Sequence, residues 1–296
     1  MALLLWILSI LGTATFILGN FANGFIVLVN CIDWKKRRKF SLVDQILTAL
    51  AVSRIGLLWV ILINWQAIVL NSDLFNLKVR MFAHLAWILI NHFSNWLTTS
   101  LGVFYLLKIA NFSSLLFLYL KWRIRQVLLG IILGSLPFLM FHFAVVSIYD
   151  TVQINFERNT TLSTKLVQVV NISNMTAETL ANLIPFALSL TSLVLSVFSL
   201  WKHLKKQQLN DKGSQDPSIK VHIRAIQTVI SFLLLFVIFF LCLVISVWSS
   251  VRVEKKAIAV FCMALGTLYP SGHSFILIWG NKKLKQTFVA LWHSFN

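Results

Sequence analysis

Residues 42–64 read LVDQILTALAVSRIGLLWVILIN, and Asp44 and Arg54 are the only charged residues among them. A bilayer hydrocarbon core about 30 Å thick is crossed by roughly 20 predominantly apolar helical residues, so a run of this length predicts a membrane span. Its start is marked as well. Ser41-Leu-Val-Asp44 has the spacing of a capping box, in which two side chains satisfy each other's backbone donors at a helix start. Immediately before it stand Lys35, Lys36, Arg37, Arg38 and Lys39, a cluster that belongs in water.

Outward from this stretch the same alternation of apolar run and charged punctuation repeats. It predicts seven spans, near 4–32, 42–70, 81–108, 126–149, 179–201, 225–250 and 257–279. The 296-residue chain is 58% hydrophobic and 12% charged, whereas soluble domains are roughly 45–50% apolar. The fold class is therefore all-α: one polytopic domain over residues 1–296, a seven-transmembrane-helix bundle. The first run exceeds a signal-peptide core and is expected to be retained as a span. Gly213-Ser-Gln-Asp-Pro217 breaks structure between the fifth and sixth spans. After the seventh, Leu284, Phe288, Leu291 and Phe295 recur at helical spacing, which predicts a short amphipathic helix on the inner leaflet.

The formal charge of +17 raises the question of nucleic-acid binding, and the placement of the cations answers it. One side of the predicted bundle carries Lys35 to Lys39, then Lys108, Lys121, Arg123 and Arg125. The same side carries Lys202, Lys205, Lys206, Lys212, Lys220 and Arg224, and after the last span Lys282, Lys283 and Lys285. The other side has only Lys78, Arg80, Arg158, Lys165, Arg252, Lys255 and Lys256. Basic loops stay cytoplasmic, so the N-terminus is extracellular and the C-terminus cytoplasmic in a multi-pass plasma-membrane protein. The charge serves topology, and no nucleic-acid partner is expected. The sequons at Asn159, Asn171 and Asn174 fall in the predicted loop after the fourth span, on the side where glycosylation occurs. Asn111-Phe112-Ser113 falls on the cytoplasmic side, where it cannot be used. Cys31, Cys242 and Cys262 lie in or beside apolar runs, so no extracellular disulfide and no metal site are expected.

An ionisable residue in mid-span costs about 2.5–3.5 kcal/mol on insertion scales and marks function by default. Arg54 is such a residue, and Asn23 in the first span has an amide oxygen to offer it. The pair is either a packing clasp or a clasp that changes partners when the bundle switches. In the third span Trp87, Asn91, Ser94 and Thr98 share one helical face, with His92 and Asn95 beside it. That face lines a cavity or glues helices together. Asn64 and Trp65, near the extracellular end of the second span, are the facing wall of such a cavity. His92, His142 and His273 fall on different spans and predict neither a metal site nor a proton relay. No HExxH or GxSxG motif and no pair of intramembrane acids occurs, so neither an enzyme nor a cofactor is expected.

Several segments together resemble the type 2 bitter taste receptors, which are G-protein-coupled receptors. They are Gly19-Asn-Phe-Ala-Asn-Gly-Phe-Ile26, LTALAVSR ending at Arg54, Phe104-Tyr-Leu-Leu-Lys-Ile-Ala-Asn-Phe-Ser113, Lys121-Trp-Arg123 and Ser199-Leu-Trp-Lys-His-Leu-Lys-Lys206. Further on are Gly213-Ser-Gln-Asp-Pro-Ser218, Ser231-Phe-Leu-Leu-Leu235 and His273-Ser-Phe-Ile-Leu-Ile-Trp-Gly-Asn-Lys-Lys-Leu-Lys285, so the likeness runs along the chain.

The resemblance implies bitter small-molecule agonists and a heterotrimeric G protein of the gustducin, Gi-like type. It implies ligand contact at Trp87, Asn91 and Trp65, glycosylation at Asn159, and a G-protein-facing surface that includes Tyr105, Lys108 and His203. Phe239 stands where relatives often have a tyrosine proposed as a toggle in the sixth span. Met263 stands at a position that is often polar or charged and helps choose ligands; as an apolar residue it is expected to disfavour cations that rely on a carboxylate there. A membrane transporter is the alternative from another class. The absence of an inverted repeat in the sequence argues against it.

Overall fold

In the computed structural model the capping box forms as expected: Asp44 N–H donates to Ser41 Oγ at 3.2 Å, and Ser41 N–H and Oγ–H donate to Asp44 Oδ2 at 3.3 and 2.7 Å. It starts the second of the long helices. The structure describes residues 2–36, 41–70, 77–110, 112–158, 163–210, 217–249 and 255–295. Their helices are α1 (Ala2–Lys35), α2 (Leu42–Leu70), α3 (Leu77–Ile109), α4 (Leu115–Trp122), α5 (Ile124–Arg158), α6 (Thr164–Asn210), α7 (Pro217–Ser249), α8 (Lys255–Gly280) and α9 (Lys282–Phe295).

Short connections make successive long helices antiparallel. One end of the bundle holds the amino terminus and the other holds α4 and α9. The long helices close into a ring through the α1–α2, α2–α3, α3–α5, α5–α6, α6–α7, α7–α8 and α8–α1 contacts, with α3 also packed on α6. The surface is inverted relative to that of a soluble protein. Ile17 and Phe21 of α1, Met140 and Phe141 of α5, and Leu234 and Leu241 of α7 are exposed, while Asn23, Arg54, Ser94, Thr98, Ser189 and Ser274 are fully buried. Lipid as solvent demands this arrangement.

Six of the described helices are long and apolar enough to cross a membrane, and α3 falls outside that group. The reason is visible in its neighbours. Its polar residues meet α2, α5 and α6 rather than lipid, so its sequence needs no uniformly apolar stretch. Close helix approach is built from small residues. A Cβ at Gly19 of α1 would collide with Ser271 Oγ of α8 and come within 2.8 Å of Leu58 Cδ1 of α2. At the carboxyl end Lys283 Nζ of α9 reaches Asp33 Oδ2 and Asn30 Oδ1, both at 2.9 Å, and Asp44 Oδ1 at 3.5 Å, which ties α9 to α1 and α2.

Two segments differ from the sequence expectation. The stretch 164–178, expected as loop, is helical and extends α6 outward. Within it Asn171 Oδ1 accepts from Gln153 Nε2 of α5 at 2.6 Å, and Asn174 is buried at 7% exposure. The helix persists because it packs against α5 beyond the apolar run that hydropathy detects. The second segment is α4, with exposed Leu115, Leu116 and Trp122 and with Lys121 Nζ bonded to the Ala110 carbonyl at 3.1 Å. Eight residues are too few to register as a span. The amphipathic α9 forms as expected in its first half, where Leu284 is buried and Phe288 meets Phe25 edge-on at 5.5 Å; Leu291 is exposed, and the side chain of Phe295 is outside the described residues.

Candidate functional site: two cavities and the layer between them

A cavity of about 490 Å³ opens at the amino end, walled by Asn64 of α2, His84 and Trp87 of α3, Asp150 and Gln153 of α5, and Glu178 of α6. Phe239 and Cys242 of α7 and Cys262 and Met263 of α8 complete it. Its size lies within the roughly 300–1,000 Å³ of small-molecule sites. One wall is apolar, with Ile61, Phe239, Leu243 and Met263. The other is polar: Trp87 Nε1 donates to Glu178 Oε1 at 3.3 Å, and His84 Nδ1 lies 3.4 Å from Asp150 Oδ1. Pro270 inside α8 removes the helical donor to the carbonyl of Gly266, a residue that also borders the cavity.

Beneath the cavity lies a buried layer. Phe239 stacks on Tyr269 with centroids 4.7 Å apart, Phe236 packs on the same ring at 5.3 Å, and Phe232 stacks on His273 at 3.9 Å. The fully buried Arg54 sits against them. Its Nη2 donates to the Tyr269 hydroxyl at 3.2 Å and meets His273 Nδ1, and its guanidinium lies 5.1 Å from the Tyr269 ring centroid. The Tyr269 hydroxyl also bonds Thr98 Oγ1 at 2.8 Å. Arg54 Nε has no hydrogen-bond partner, and no acidic side chain lies within ion-pair distance of the guanidinium among the described residues. A buried cation held only by neutral groups carries an uncompensated desolvation cost, which marks the layer as a place where the resting state is easily biased.

Below this layer a cleft of about 800 Å³ opens at the carboxyl end, bordered by Tyr105 of α3, Thr228, Val229 and Phe232 of α7, His273 and Ile276 of α8, and Lys282 and Lys285 of α9. Phe232 and His273 thus belong both to the layer and to the cleft. The two cavities are separated by little more than the Arg54–Tyr269–His273 network and the rings stacked on it.

The structure brings together part of the expected site. Trp87, Asn64, Phe239 and Met263 border the amino-end cavity. Asn91 and Asn95 are buried one turn and two turns further along α3, and both amide nitrogens donate to Asn182 Oδ1 of α6, at 2.8 and 2.7 Å. They form an α3–α6 clasp instead of cavity wall. His92 turns to α5 and bonds Ser135 Oγ at 3.1 Å. Trp65 packs on α1, its ring against Gly12, and clusters with Leu8 and Ala264. Asn23 approaches Arg54 only indirectly: its Oδ1 accepts from Ser274 Oγ at 2.7 Å, and Ser274 Oγ is 3.5 Å from Arg54 Nη1. Its Nδ2 is held by the carbonyls of Gly19 and Pro270.

At the carboxyl end Tyr105 borders the cleft, and Lys108 is exposed with its ammonium 6.0 Å from the Phe104 ring centroid. His203 lies on α6 with its side chain outside the described residues, and Asn159 lies outside them altogether. The described thiols are free, with Cys242 and Cys262 buried and Cys31 exposed. Among the described residues no group of three metal-ligating side chains converges.

Six residues of these networks escape the sequence reading: His84, Asp150, Glu178, Asn182, Tyr269 and His273 as a partner of Arg54. Asp150 and Glu178 flank apolar runs and so read as span ends. A helical-face test across 174–182, which places Glu178 and Asn182 one turn apart, is the signal that would have found two of them.

A family model described as taste receptor protein (TAS2R) matches residues 1–295. Taste receptor type 2 member 43 of Papio hamadryas is 58% identical over 289 residues, covering 97% of this chain and 94% of that one. Taste receptor type 2 member 46 of Homo sapiens is 57% identical over the same length and the same shares.

Proposed function

Because this chain belongs to the taste receptor protein (TAS2R) family, we propose that it is a plasma-membrane receptor that binds bitter small molecules in the amino-end cavity and activates a gustducin-like, Gi-type heterotrimeric G protein. The amino terminus is extracellular and the basic end cytoplasmic, as the positive-inside rule directs. Helices α1, α2, α3, α5, α6, α7 and α8 span the membrane within one domain, while α4 and α9 lie along the inner leaflet among lipid headgroups. Asn159 is the glycan acceptor, since Asn171 and Asn174 are engaged or buried in α6.

The observation that carries this reading is the stacking of two cavities on either side of one buried network. A ligand that fills the outer cavity presses on Trp87 and on Phe239, whose ring lies on Tyr269. Tyr269 in turn holds Arg54, and Arg54 meets His273 at the roof of the inner cleft. A ligand with higher affinity for the arrangement in which this layer has shifted moves the population toward it; one that binds both arrangements equally moves nothing. Tyr105, Lys108 and His203 then present the cytoplasmic surface to the G protein. Asn91 acts from the floor, through the Asn182 clasp that sets how α3 and α6 sit beneath the ligand.

Calcium mobilisation in cells that co-express the chain with a promiscuous G protein carrying a gustducin tail tests the reading against a broad panel of bitter compounds. Agonist potency reduced by roughly 30-fold or more in Trp87→Ala, with glycosylated protein retained at the surface, is the expected result. Solute flux in liposomes without any G protein would establish a transporter instead.

A further inference from the structure

A free cysteine in a core is ordinarily a small inert hydrophobe, because no reagent reaches it. At the outer cavity two of them meet across a helix interface. Cys242 of α7 and Cys262 of α8 both border the cavity, both are free, and their thiols share an S–H···S hydrogen bond. They are 6% and 4% exposed, and the space they border is ligand-sized. What the pair can hold follows from its bonding capacity. Structural zinc takes four ligands, and among the described residues no group of three His, Cys, Asp or Glu side chains forms around the two thiols. A disulfide needs sulfurs about 2.05 Å apart, well inside hydrogen-bond separation, so the pair would have to close. One soft atom bonded to both sulfurs, with bonds of about 2.3 Å as in zinc thiolates, spans up to roughly 4.6 Å and fits the pair as it stands. The lining beside it is apolar, with Phe239, Leu243 and Met263, and favours a product without net charge. A Cβ on Gly266, one turn along α8 from Cys262, would meet nothing within 4 Å, which leaves room for an organic group on the bridging atom.

We propose that Cys242 and Cys262 form a dithiol capture site for soft thiophiles that accept two sulfurs at one atom, with trivalent organoarsenicals as the type. For an aryl arsenoxide the As=O bond and both S–H bonds break, two As–S bonds form, and the oxygen leaves as water with the two thiol protons. Arsenic stays trivalent, so no oxidant or reductant enters, and the product is neutral. The aryl group lies in the cavity against its apolar wall. The bridge ties α7 to α8 one turn outward of Phe239, whose ring lies on Tyr269 of α8. The capture site stands without any assignment of the agonist site; its effect on signalling rests on the outer cavity being that site, since the bridged chain has its cavity filled and its two helices pinned.

The test treats the purified full chain with phenylarsine oxide and follows it by mass spectrometry. The expected product carries a phenylarsenic group that survives excess 2-mercaptoethanol and leaves with 2,3-dimercaptopropanol, because only a dithiol competes with a two-point attachment. Proteolysis should then release the peptides that carry Cys242 and Cys262 joined through arsenic. Cys242→Ser and Cys262→Ser should each lose the monothiol-resistant adduct. No adduct, an adduct that 2-mercaptoethanol removes, or arsenic mapped to Cys31 overturns the proposal without recourse to any variant. In cells, brief exposure to phenylarsine oxide should abolish the agonist calcium response, with recovery in 2,3-dimercaptopropanol, and whatever response Cys242→Ser retains should be insensitive to it. A bridge that forms while the response is unchanged upholds the capture site and removes the outer cavity as the agonist site.

Discussion

The outer cavity and the Arg54 layer beneath it are both polar, both enclosed by the same helices and less than two helical turns apart on α7, yet they differ in how their polar groups are satisfied. At the cavity the Trp87–Glu178 and His84–Asp150 contacts are long, at 3.3 and 3.4 Å, and the buried Asp150 Oδ2 has no partner among the described residues. In the layer the Tyr269 hydroxyl has two partners, Ser274 Oγ bonds Asn23 and the Pro270 carbonyl, and the rings are closely stacked. A ligand-sized space beside long polar contacts leaves room for a ligand to compete for them. A region that closes around a buried cation holds a state, and its cost resides in that cation, whose Nε has no partner among the described residues.

The largest effect is expected from Arg54→Met. Replacing a buried ion pair by apolar side chains of similar volume is often neutral or stabilising, by about 1–4 kcal/mol, and Arg54 has no acidic partner among the described residues that Met would leave unpaired. The variant should therefore keep or raise its thermal stability in detergent while losing the agonist response altogether. A large fall in the unfolding temperature with signalling intact would make Arg54 a packing residue and erase the contrast between the two regions. Trp87→Ala comes next. Loss of a central aromatic contact is worth about 2 kcal/mol or more in recognition, so agonist potency should fall by roughly 30-fold or more with little change in thermal stability. Asn182→Ala is intermediate in kind, for it leaves the buried amides of Asn91 and Asn95 without their shared acceptor. A cost of about 1–3 kcal/mol should appear in the unfolding temperature and, in part, as a several-fold loss of potency. Potency lost with stability unchanged would instead place Asn182 in the cavity wall.

Most of the fold was legible because its signals are local. The Ser41–Asp44 box, the apolar runs and the Leu284–Phe288 stripe depend on residues within one or two turns of each other. The candidate site's geometry was legible only where a single helix carries it, as with Trp87 at the cavity edge, and where one polar residue stands in an apolar run, as with the buried Arg54. What remained hidden depends on pairing between helices. Asn91 reads equally as cavity wall or helix glue until Asn182 is found across the α3–α6 interface, and Asn23 reads as a partner of Arg54 until Ser274 is found between them. Asp150 and Glu178 were missed for a different reason. Hydropathy ends a span where charge begins, whereas α5 and α6 continue as helix beyond that point and carry both acids inward to the cavity.

The smallest and sharpest test lies on the boundary itself. Phe239 borders the cavity, is 2% exposed, and lies nearly parallel to Tyr269 with a 25° interplanar angle. Phe239→Tyr adds one hydroxyl to this ring and leaves the stacking surface in place. Within the layer that hydroxyl would compete for the Tyr269 hydroxyl, which Arg54 and Thr98 already hold, and would alter the resting equilibrium. Toward the cavity it would meet water or ligand and leave the layer undisturbed. Since the Tyr269 hydroxyl is already held twice and the cavity is open space, the cavity is the less costly direction for a new polar group. The expected result is a shift in agonist potency of about threefold, roughly 0.7 kcal/mol, with no change in ligand-independent signalling. Raised ligand-independent signalling would show that Phe239 belongs to the switching layer, and the boundary between ligand wall and switch would then lie one ring closer to the outer surface.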